Sequence, residues 1–126
     1  MKLLNELFFI SDREEGKGNG TVYYIQLNPE HFIYRLHFPG NPITPGVCLI
    51  QMTQEILEQH FLRRFRLVEI SNVKFLQTLS PQADALIHVR FGKISLTDEG
   101  CKAQLTIADA EQTYAKLSLS YGYERS

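Results

Sequence analysis

The chain has 126 residues, of which 44% are hydrophobic and 21% charged, and its formal net charge is −1. This balance predicts a single globular domain over residues 1–126, and it excludes a disordered chain and a protein that holds nucleic acid by bulk positive charge. No apolar run reaches the length of a membrane span, and acidic residues interrupt the N-terminal apolar segment, so we expect a cytoplasmic protein without a membrane partner.

The first part of the chain contains two short apolar runs on either side of a glycine-rich turn at residues 16–20. Residues 7–11 predict a short strand that follows a helical turn. Residues 21–27 are rich in β-branched and aromatic side chains and predict a second strand. Prolines and glycines then make residues 28–46 irregular.

Residues 46–62 give the strongest helix signal in the chain, directly after Pro45. Apolar side chains occupy almost every side of the first two turns, which predicts a helix that is buried all round. Gln51, Gln54 and Glu55 are the polar exceptions. Because buried polar groups are costly without partners, we expect each of them to have a hydrogen-bond partner or a chemical role.

The second half of the chain alternates apolar and polar residues with a period of two, the pattern of half-buried strands. Strands are predicted at residues 71–79, 85–91, 101–107 and 115–121. Turn-like residues at 97–100 and 109–112 favour antiparallel pairing of neighbours. One antiparallel sheet with one apolar helix is an α+β arrangement, and so small a sheet cannot cover the helix on every side. A second copy of the chain is the expected cover.

Residues 37–55, HFPGNPITPGVCLIQMTQE, combine three chemical features. His37 lies in a proline-stiffened loop, and an imidazole can take or give a proton near neutral pH. The unpaired N–H groups of the first helical turn, above all that of Gly46, favour a carbonyl oxygen that gains negative charge. Gln51 and Glu55 are four residues apart and therefore share one face of the helix.

These features suit a β-elimination. A thioester carbonyl held by the Gly46 N–H makes the hydrogens on its α-carbon acidic, because the resulting enolate is stabilised where its charge develops. His37 is then a plausible base for that hydrogen, and a side chain on the helix could protonate a departing β-hydroxyl.

The same segment resembles the 3-hydroxyacyl-acyl carrier protein dehydratases of type II fatty-acid synthesis. HFPGNP at 37–42 and TPGV at 44–47 match the family motif position by position. SNVKFLQTLSPQAD at 71–84 also resembles a later strand of that family, although only Pro81 and Asp84 remain of its Pro-Gly-Asp turn.

This resemblance implies a hot-dog fold, in which an antiparallel sheet wraps one long central helix. It also implies a homodimer, with a hexamer built as a trimer of dimers as a further assembly. Each active site would lie between subunits, with the histidine from one chain and the helix side chain from the other. The substrate would arrive on the phosphopantetheine of acyl carrier protein or as a coenzyme A thioester, beside Pro45, Gly46 and Val47, with no other cofactor and no metal.

Three positions depart from the family pattern. Leu36 stands where the family usually has glycine, Gln51 stands where it has its catalytic Glu or Asp, and Glu55 stands where Gln is common. An amide cannot deliver a proton at neutral pH. Either Glu55 supplies the acid from a deeper position, or the acid is lost and the protein binds acyl chains, hydrolyses them poorly or serves as the inactive half of a pair.

The sequence therefore favours dehydration of a 3-hydroxyacyl thioester to the trans-2-enoyl product. In this interpretation His37 is the base, the Gly46 N–H polarises the carbonyl, and Glu55 with Gln51 handles the hydroxyl. Two alternatives remain, a hot-dog acyl thioesterase and a non-catalytic acyl-binding or partner subunit of a dehydratase.

The other conspicuous side chains have simpler interpretations. Cys48 and Cys101 are expected to be buried free thiols, because their spacing fits neither a metal site nor a disulfide framework. His31, His60 and His88 lack the spacing of metal ligands, and His60 is expected to be solvated.

Charged and aromatic residues leave further alternatives open. Glu55 could pair with Arg63 or Arg64 at the helix edge. The basic cluster is either solvated surface or a dock for the phosphate of phosphopantetheine or an acidic carrier protein; it comprises Arg63, Arg64, Arg66 and Lys74. Aromatic residues are expected in the core or at the dimer seam: Phe8, Phe9, Tyr23, Tyr24, Phe32 and Phe75.

Overall fold

The computed structural model describes residues 2–16, 20–36, 40–82 and 85–124. Within these ranges the elements are, in chain order, β1 (Phe8–Glu15), β2 (Thr21–Leu27), α1 (Ile33–Leu36), α2 (Gly46–Phe61), β3 (Phe65–Phe75), β4 (Ile87–Leu96), β5 (Gly100–Ala108) and β6 (Thr113–Tyr123). Among the described residues, no helix has the length and apolar character needed to cross a bilayer.

The strands form one antiparallel sheet in the order β1-β2-β4-β5-β6-β3. Tight turns join β4 to β5 and β5 to β6, and each turn is closed by a backbone hydrogen bond, Thr97 N–H to Gly100 O at 2.8 Å and Asp109 N–H to Gln112 O at 3.0 Å. The strand that follows α2 pairs with β6 and forms one edge of the sheet. The architecture is therefore α+β, as the sequence predicted.

Helix α2 packs one face against this sheet. Its buried apolar residues recur at the three- and four-residue spacing of a single helical stripe: Leu49, Met52, Ile56 and Leu57. They meet the inward-facing residues of the sheet, where alternate side chains of each strand point to the core: Ile87, Val89, Phe91, Leu105, Ile107, Leu117 and Leu119. This packing fixes which side of α2 remains open.

The sheet of one chain leaves a side of α2 uncovered, as expected for so small a sheet, and cover by a second copy stays a prediction. Val47 in the first turn is 75% exposed, because one sheet covers only one face of the helix. The helix also ends one residue earlier than predicted, at Phe61, because Leu62 takes the left-handed conformation (φ 54°) and its N–H bonds to Glu58 O.

The strand after the helix starts at Phe65, well before the predicted residue 71. Two irregularities in its pairing with β6, between Leu67 and Glu69 and between Ile70 and Asn72, break the alternation of buried and exposed residues. The first half of β3 therefore lacks the alternation of apolar and polar residues by which a strand is predicted from sequence. The short helix α1 lies inside the segment that the sequence predicted to be irregular.

The C-terminal end of α2 is tied to the sheet by a histidine. His60 is half-buried, and its Nδ1 lies 2.8 Å from the hydroxyl of Tyr23 on β2. The expectation that His60 is solvated is therefore wrong. Burial lowers the pKa of His60 below its ordinary value, and the positive charge of Arg13 is a second cause in the same direction.

This lowered pKa predicts a loss of stability in mild acid. The unfolded chain takes up a proton at His60 near pH 6.5, the ordinary value, whereas the folded chain does so only at lower pH. The free energy of unfolding should therefore fall as the pH drops below about 6.5, and His60→Asn should remove that part of the fall. Chemical denaturation of both proteins across this range measures it. Parallel stability curves for parent and variant would contradict the assignment.

Candidate functional site

The open face of α2, the start of β3 and residues 2–4 enclose a groove of about 930 Å³, hereafter the α2 groove. Apolar side chains line much of it: Leu4, Val47, Ile50, Leu67 and Ile70. Cationic side chains line it as well: Lys2, Arg63 and Arg64. A concave site with an apolar lining and a few charged groups is the usual form of a small-ligand site.

The structure gathers most of the predicted site residues on one helix. Val47, Gln51 and Glu55 all line the α2 groove, and Gly46 forms the start of α2 behind its N-cap residue, Pro45. The predicted base, His37, lies outside the described residues. Its part in the site therefore stays a prediction.

Backbone N–H groups at the start of α2 are available to a ligand. Pro45 O accepts the N–H groups of Cys48 and Leu49, at 3.0 and 3.2 Å. Among the described residues, the N–H groups of Gly46 and Val47 have no acceptor. Since the first N–H groups of a helix carry its partial positive charge, this end of α2 suits an oxygen that gains negative charge.

Glycine at position 46 leaves room for an aromatic ring that the sequence left as core or seam. A Cβ on Gly46 would lie 2.6 Å from Cζ of Phe75, at the end of β3. The ring thus packs directly on the glycine, while the Phe75 side chain is still 51% exposed. A non-local contact of this kind leaves no signal in the sequence pattern.

The segment that carries His37 is fixed at both of its flanks. The hydroxyls of Tyr34 on α1 and of Thr44 just before α2 lie 2.9 Å apart, and both residues are buried. The Thr44 N–H also bonds to Leu79 O at 2.8 Å. Burial raises the pKa of Tyr34, so that its hydroxyl stays neutral and able to donate.

Glu55 and Gln51 are in direct contact on α2, as their spacing predicted. Gln51 Nε2 donates to Glu55 Oε2 at 3.0 Å. The same carboxyl group accepts two backbone N–H groups from residues 2–4, hereafter the N-terminal strap. Leu3 N lies 3.0 and 2.9 Å from its two oxygens, and Leu4 N lies 2.7 Å from Oε1.

These contacts define what Glu55 can do. An ionised carboxylate only accepts hydrogen bonds, so it suits a site in which each neighbour is an N–H donor. To protonate a leaving group, Glu55 would first have to carry a proton in place of one of these contacts. The role of Glu55 as an acid stays a prediction, and the partners that the structure gives it are the strap and Gln51, not an arginine.

Other polar residues of α2 also have partners. Gln54 Nε2 donates to Phe65 O at 2.9 Å, and Glu58 Oε2 accepts the Phe65 N–H at 2.8 Å. Both bonds fix the start of β3 beside the helix. Of the predicted basic cluster, Arg63 and Arg64 line the α2 groove, whereas Lys74 lies near the end of β3, opposite Lys116 of β6, and is not among the lining residues.

Neither cysteine has the surroundings that would make its thiol a nucleophile. Cys48 and Cys101 are free and buried. Burial raises the pKa of the Cys48 thiol and raises that of Cys101 to about 11, so both stay protonated near neutral pH. Across the described ranges, no group of three His, Cys, Asp or Glu side chains is arranged to hold a metal ion.

The contact between Gly46 and Phe75 predicts that Gly46→Ala lowers the free energy of unfolding, the opposite of its usual effect. At the start of a helix, Gly46→Ala would ordinarily be neutral or mildly stabilising. In the parent protein it should cost about 1 kcal/mol of unfolding free energy, because the new methyl group must displace the Phe75 ring. In a Phe75→Ala background the same substitution should cost nothing. Urea denaturation of the parent, the two single variants and the double variant measures the coupling free energy between the two positions. Additive effects on the free energy of unfolding would show that the ring and the glycine do not touch.

Comparison with known proteins identifies a family whose sequence pattern this chain matches. The family model described as ApeI-like, the ApeI dehydratase, matches residues 12–118. No curated protein matches the sequence.

Solved structures share the fold at low identity. The dehydratase heterocomplex ApeI:P from Xenorhabdus doucetiae has a TM-score of 0.68 and 19% identity, over 90% of this chain and 96% of that chain. An uncharacterized protein from Erwinia carotovora subsp. atroseptica gives 0.63 and 16%, over 91% and 93%. A hypothetical thioesterase from Streptococcus pneumoniae, solved with coenzyme A, gives 0.59 and 13%, over 91% and 88%. These likenesses support the predicted hot-dog fold, here a six-stranded antiparallel sheet with a helix packed against it.

Proposed function

Because the chain belongs to the ApeI-like dehydratase family, we propose that it dehydrates 3-hydroxyacyl thioesters on acyl carrier protein to trans-2-enoyl thioesters. The observation that supports this most directly is the α2 groove, which is lined by Val47 in the first turn of α2. Its apolar lining suits an acyl chain. Its cations, Lys2, Arg63 and Arg64, suit the phosphate of phosphopantetheine, on the carrier protein or in coenzyme A.

The first step of the proposed reaction is removal of an α-proton. The thioester carbonyl accepts a hydrogen bond from the Gly46 N–H, with Pro45 and Val47 beside it, and this stabilises the enolate as its charge develops. His37, on the segment closed by Tyr34 and Thr44, takes the proton.

The second step is loss of the β-hydroxyl as water. Gln51 lies in the groove and is proposed to hold this hydroxyl, with Glu55 fixing the orientation of the Gln51 amide through the 3.0 Å bond. Because the N-terminal strap already bonds to Glu55, we assign the returning proton to the imidazolium of His37 formed in the first step. The C–O bond breaks as the double bond forms, and the imidazole is regenerated.

A homodimer remains part of this proposal. The strand β3 is at an edge of the sheet, and its Val68 and Ile70 are exposed. An edge with exposed apolar side chains favours pairing with another chain. The trimer of dimers stays a prediction from the family resemblance.

The second candidate function is a partner subunit whose acid comes from a different hot-dog chain. It is favoured by the amide at Gln51 and by the bonded state of Glu55. The similar ApeI:P structure is described as a dehydratase heterocomplex. This candidate predicts no turnover by the chain alone and turnover on addition of a chain with a carboxyl group at that position.

The proposal predicts opposite effects of two substitutions on dehydration of a carrier-linked 3-hydroxyacyl thioester. His37→Ala should lower kcat by at least about 100-fold, since it removes the base. Gln51→Glu should raise kcat by about tenfold or more, because it places at the hydroxyl a carboxyl group, the residue type that the family resemblance implies for the acid. Enoyl absorbance measures both.

Three results would contradict the proposal. An unchanged rate in His37→Ala would show that His37 is not the base, and an unchanged rate in Gln51→Glu would show that Gln51 is not at the hydroxyl. Release of free acid and thiol without enoyl absorbance would identify a thioesterase instead.

A further inference from the structure

We infer that Glu55 is a latch that holds the N-terminal strap as one wall of the α2 groove, and that Leu4 on this wall determines which acyl chains the groove accepts. The second half of this inference rests on the proposed function, since it takes the occupant of the groove to be an acyl chain. The first half stands on the contacts alone.

The latch consists of one carboxyl group and consecutive backbone donors. Leu3 N–H faces both oxygens of Glu55, and Leu4 N–H faces Oε1 at 2.7 Å. Two successive N–H groups around one carboxylate form an anion-binding concavity, and hydrogen bonds to a charged acceptor are the stronger kind. The partners are 52 and 51 residues apart in sequence, so these hydrogen bonds join the N-terminal strap to a helix that is distant along the chain.

The other contacts of the strap are its own backbone turn and the burial of Leu3. It folds back through Asn5, which takes the left-handed conformation (φ 69°), and Leu3 O accepts the N–H groups of Glu6 and Leu7. Leu3 itself is buried at 3% exposure. Without the carboxylate, the Leu3 N–H would be a buried donor without a partner, which costs more than an ordinary hydrogen bond gains.

An amide is a poorer partner here than this carboxylate. A glutamine at position 55 has a single acceptor oxygen without charge, and hydrogen bonds to a charged acceptor are the stronger kind. Two acceptor oxygens beside the N–H donors of Leu3, Leu4 and Gln51 account for a glutamate in a helix position that is only 8% exposed. This requirement differs from that of an acid catalyst, which needs only one proton.

The latched strap shapes the groove. Lys2 and Leu4 line it together with Ile50 on α2 and Ile70 on β3, so the strap forms one wall of the groove and the bonds to Glu55 join this wall to the helix. Truncating Leu4 would widen the groove without disturbing the latch. Removing the Glu55 carboxylate would let the wall itself move.

Hydrogen exchange and ligand binding test the two halves separately. Amide exchange at Leu3 and Leu4 is measured in the parent protein, in Glu55→Gln and in Glu58→Gln. Glu58 is the matched control, since it lies on the same helix and groove but accepts the N–H of Phe65 instead of the strap. Exchange at both amides should rise about tenfold or more in Glu55→Gln and stay unchanged in Glu58→Gln.

Binding of saturated acyl-CoA thioethers of increasing length is then measured by calorimetry for the parent and Leu4→Ala. Thioethers cannot be hydrolysed, so binding is read without turnover. The variant should bind the longer chains about tenfold better relative to the short ones.

Unchanged exchange in Glu55→Gln would overturn the latch, and an equal rise in Glu58→Gln would do the same. An unchanged length profile in Leu4→Ala would overturn the role of Leu4. If the parent binds no thioether of any length, the acyl occupant and the proposed function both fail, while the exchange data still decide the latch. If thioethers bind but the length profile does not move, only the inference fails.

Discussion

The packing of one face of α2 against one sheet is the constraint on which the rest of this structure depends. Because Leu49, Met52 and Ile56 pack into the core, the polar residues Gln51 and Glu55 lie on a different side of the helix, which lines the groove. Val47 in the first turn lines the groove as well. The groove and its polar pair are therefore consequences of a single helix orientation.

The polar pair on α2 shows which neighbours each side chain has. The amide of Gln51 and the carboxylate of Glu55 form a hydrogen bond along the helix face, at 3.0 Å. The carboxylate also lies deep enough to accept backbone N–H groups of the N-terminal strap. The family match supports dehydration as the reaction class. In the proposed reaction Glu55 orients Gln51, and the chemistry at the hydroxyl depends on Gln51 and His37.

Local sequence patterns predicted those parts of the fold whose determinants are local. The boundaries of β2 and the start of α2 follow from β-branched residues and from Pro45, and both were predicted correctly. The early start of β3 was missed because bulges interrupt its alternation. Contacts between distant residues, such as His60 with Tyr23 and the Phe75 ring on Gly46, carry no periodic signal and could be found only in the folded chain. The motif around His37 predicted a dehydratase family, which the family match supports, whereas the partners of Glu55 required coordinates.

The central claim is that the backbone donors at the start of α2 bind a thioester carbonyl inside the groove. Nuclear magnetic resonance of the nitrogen-15-labelled protein tests it with two saturated acyl-CoA analogues, a ketone that keeps the carbonyl and a thioether that lacks it. We predict that the ketone shifts the amide protons of Gly46 and Val47 downfield and that the thioether shifts the groove residues but not these two. Identical spectra for the two ligands at Gly46 and Val47, with shifts elsewhere in the groove, would contradict the claim.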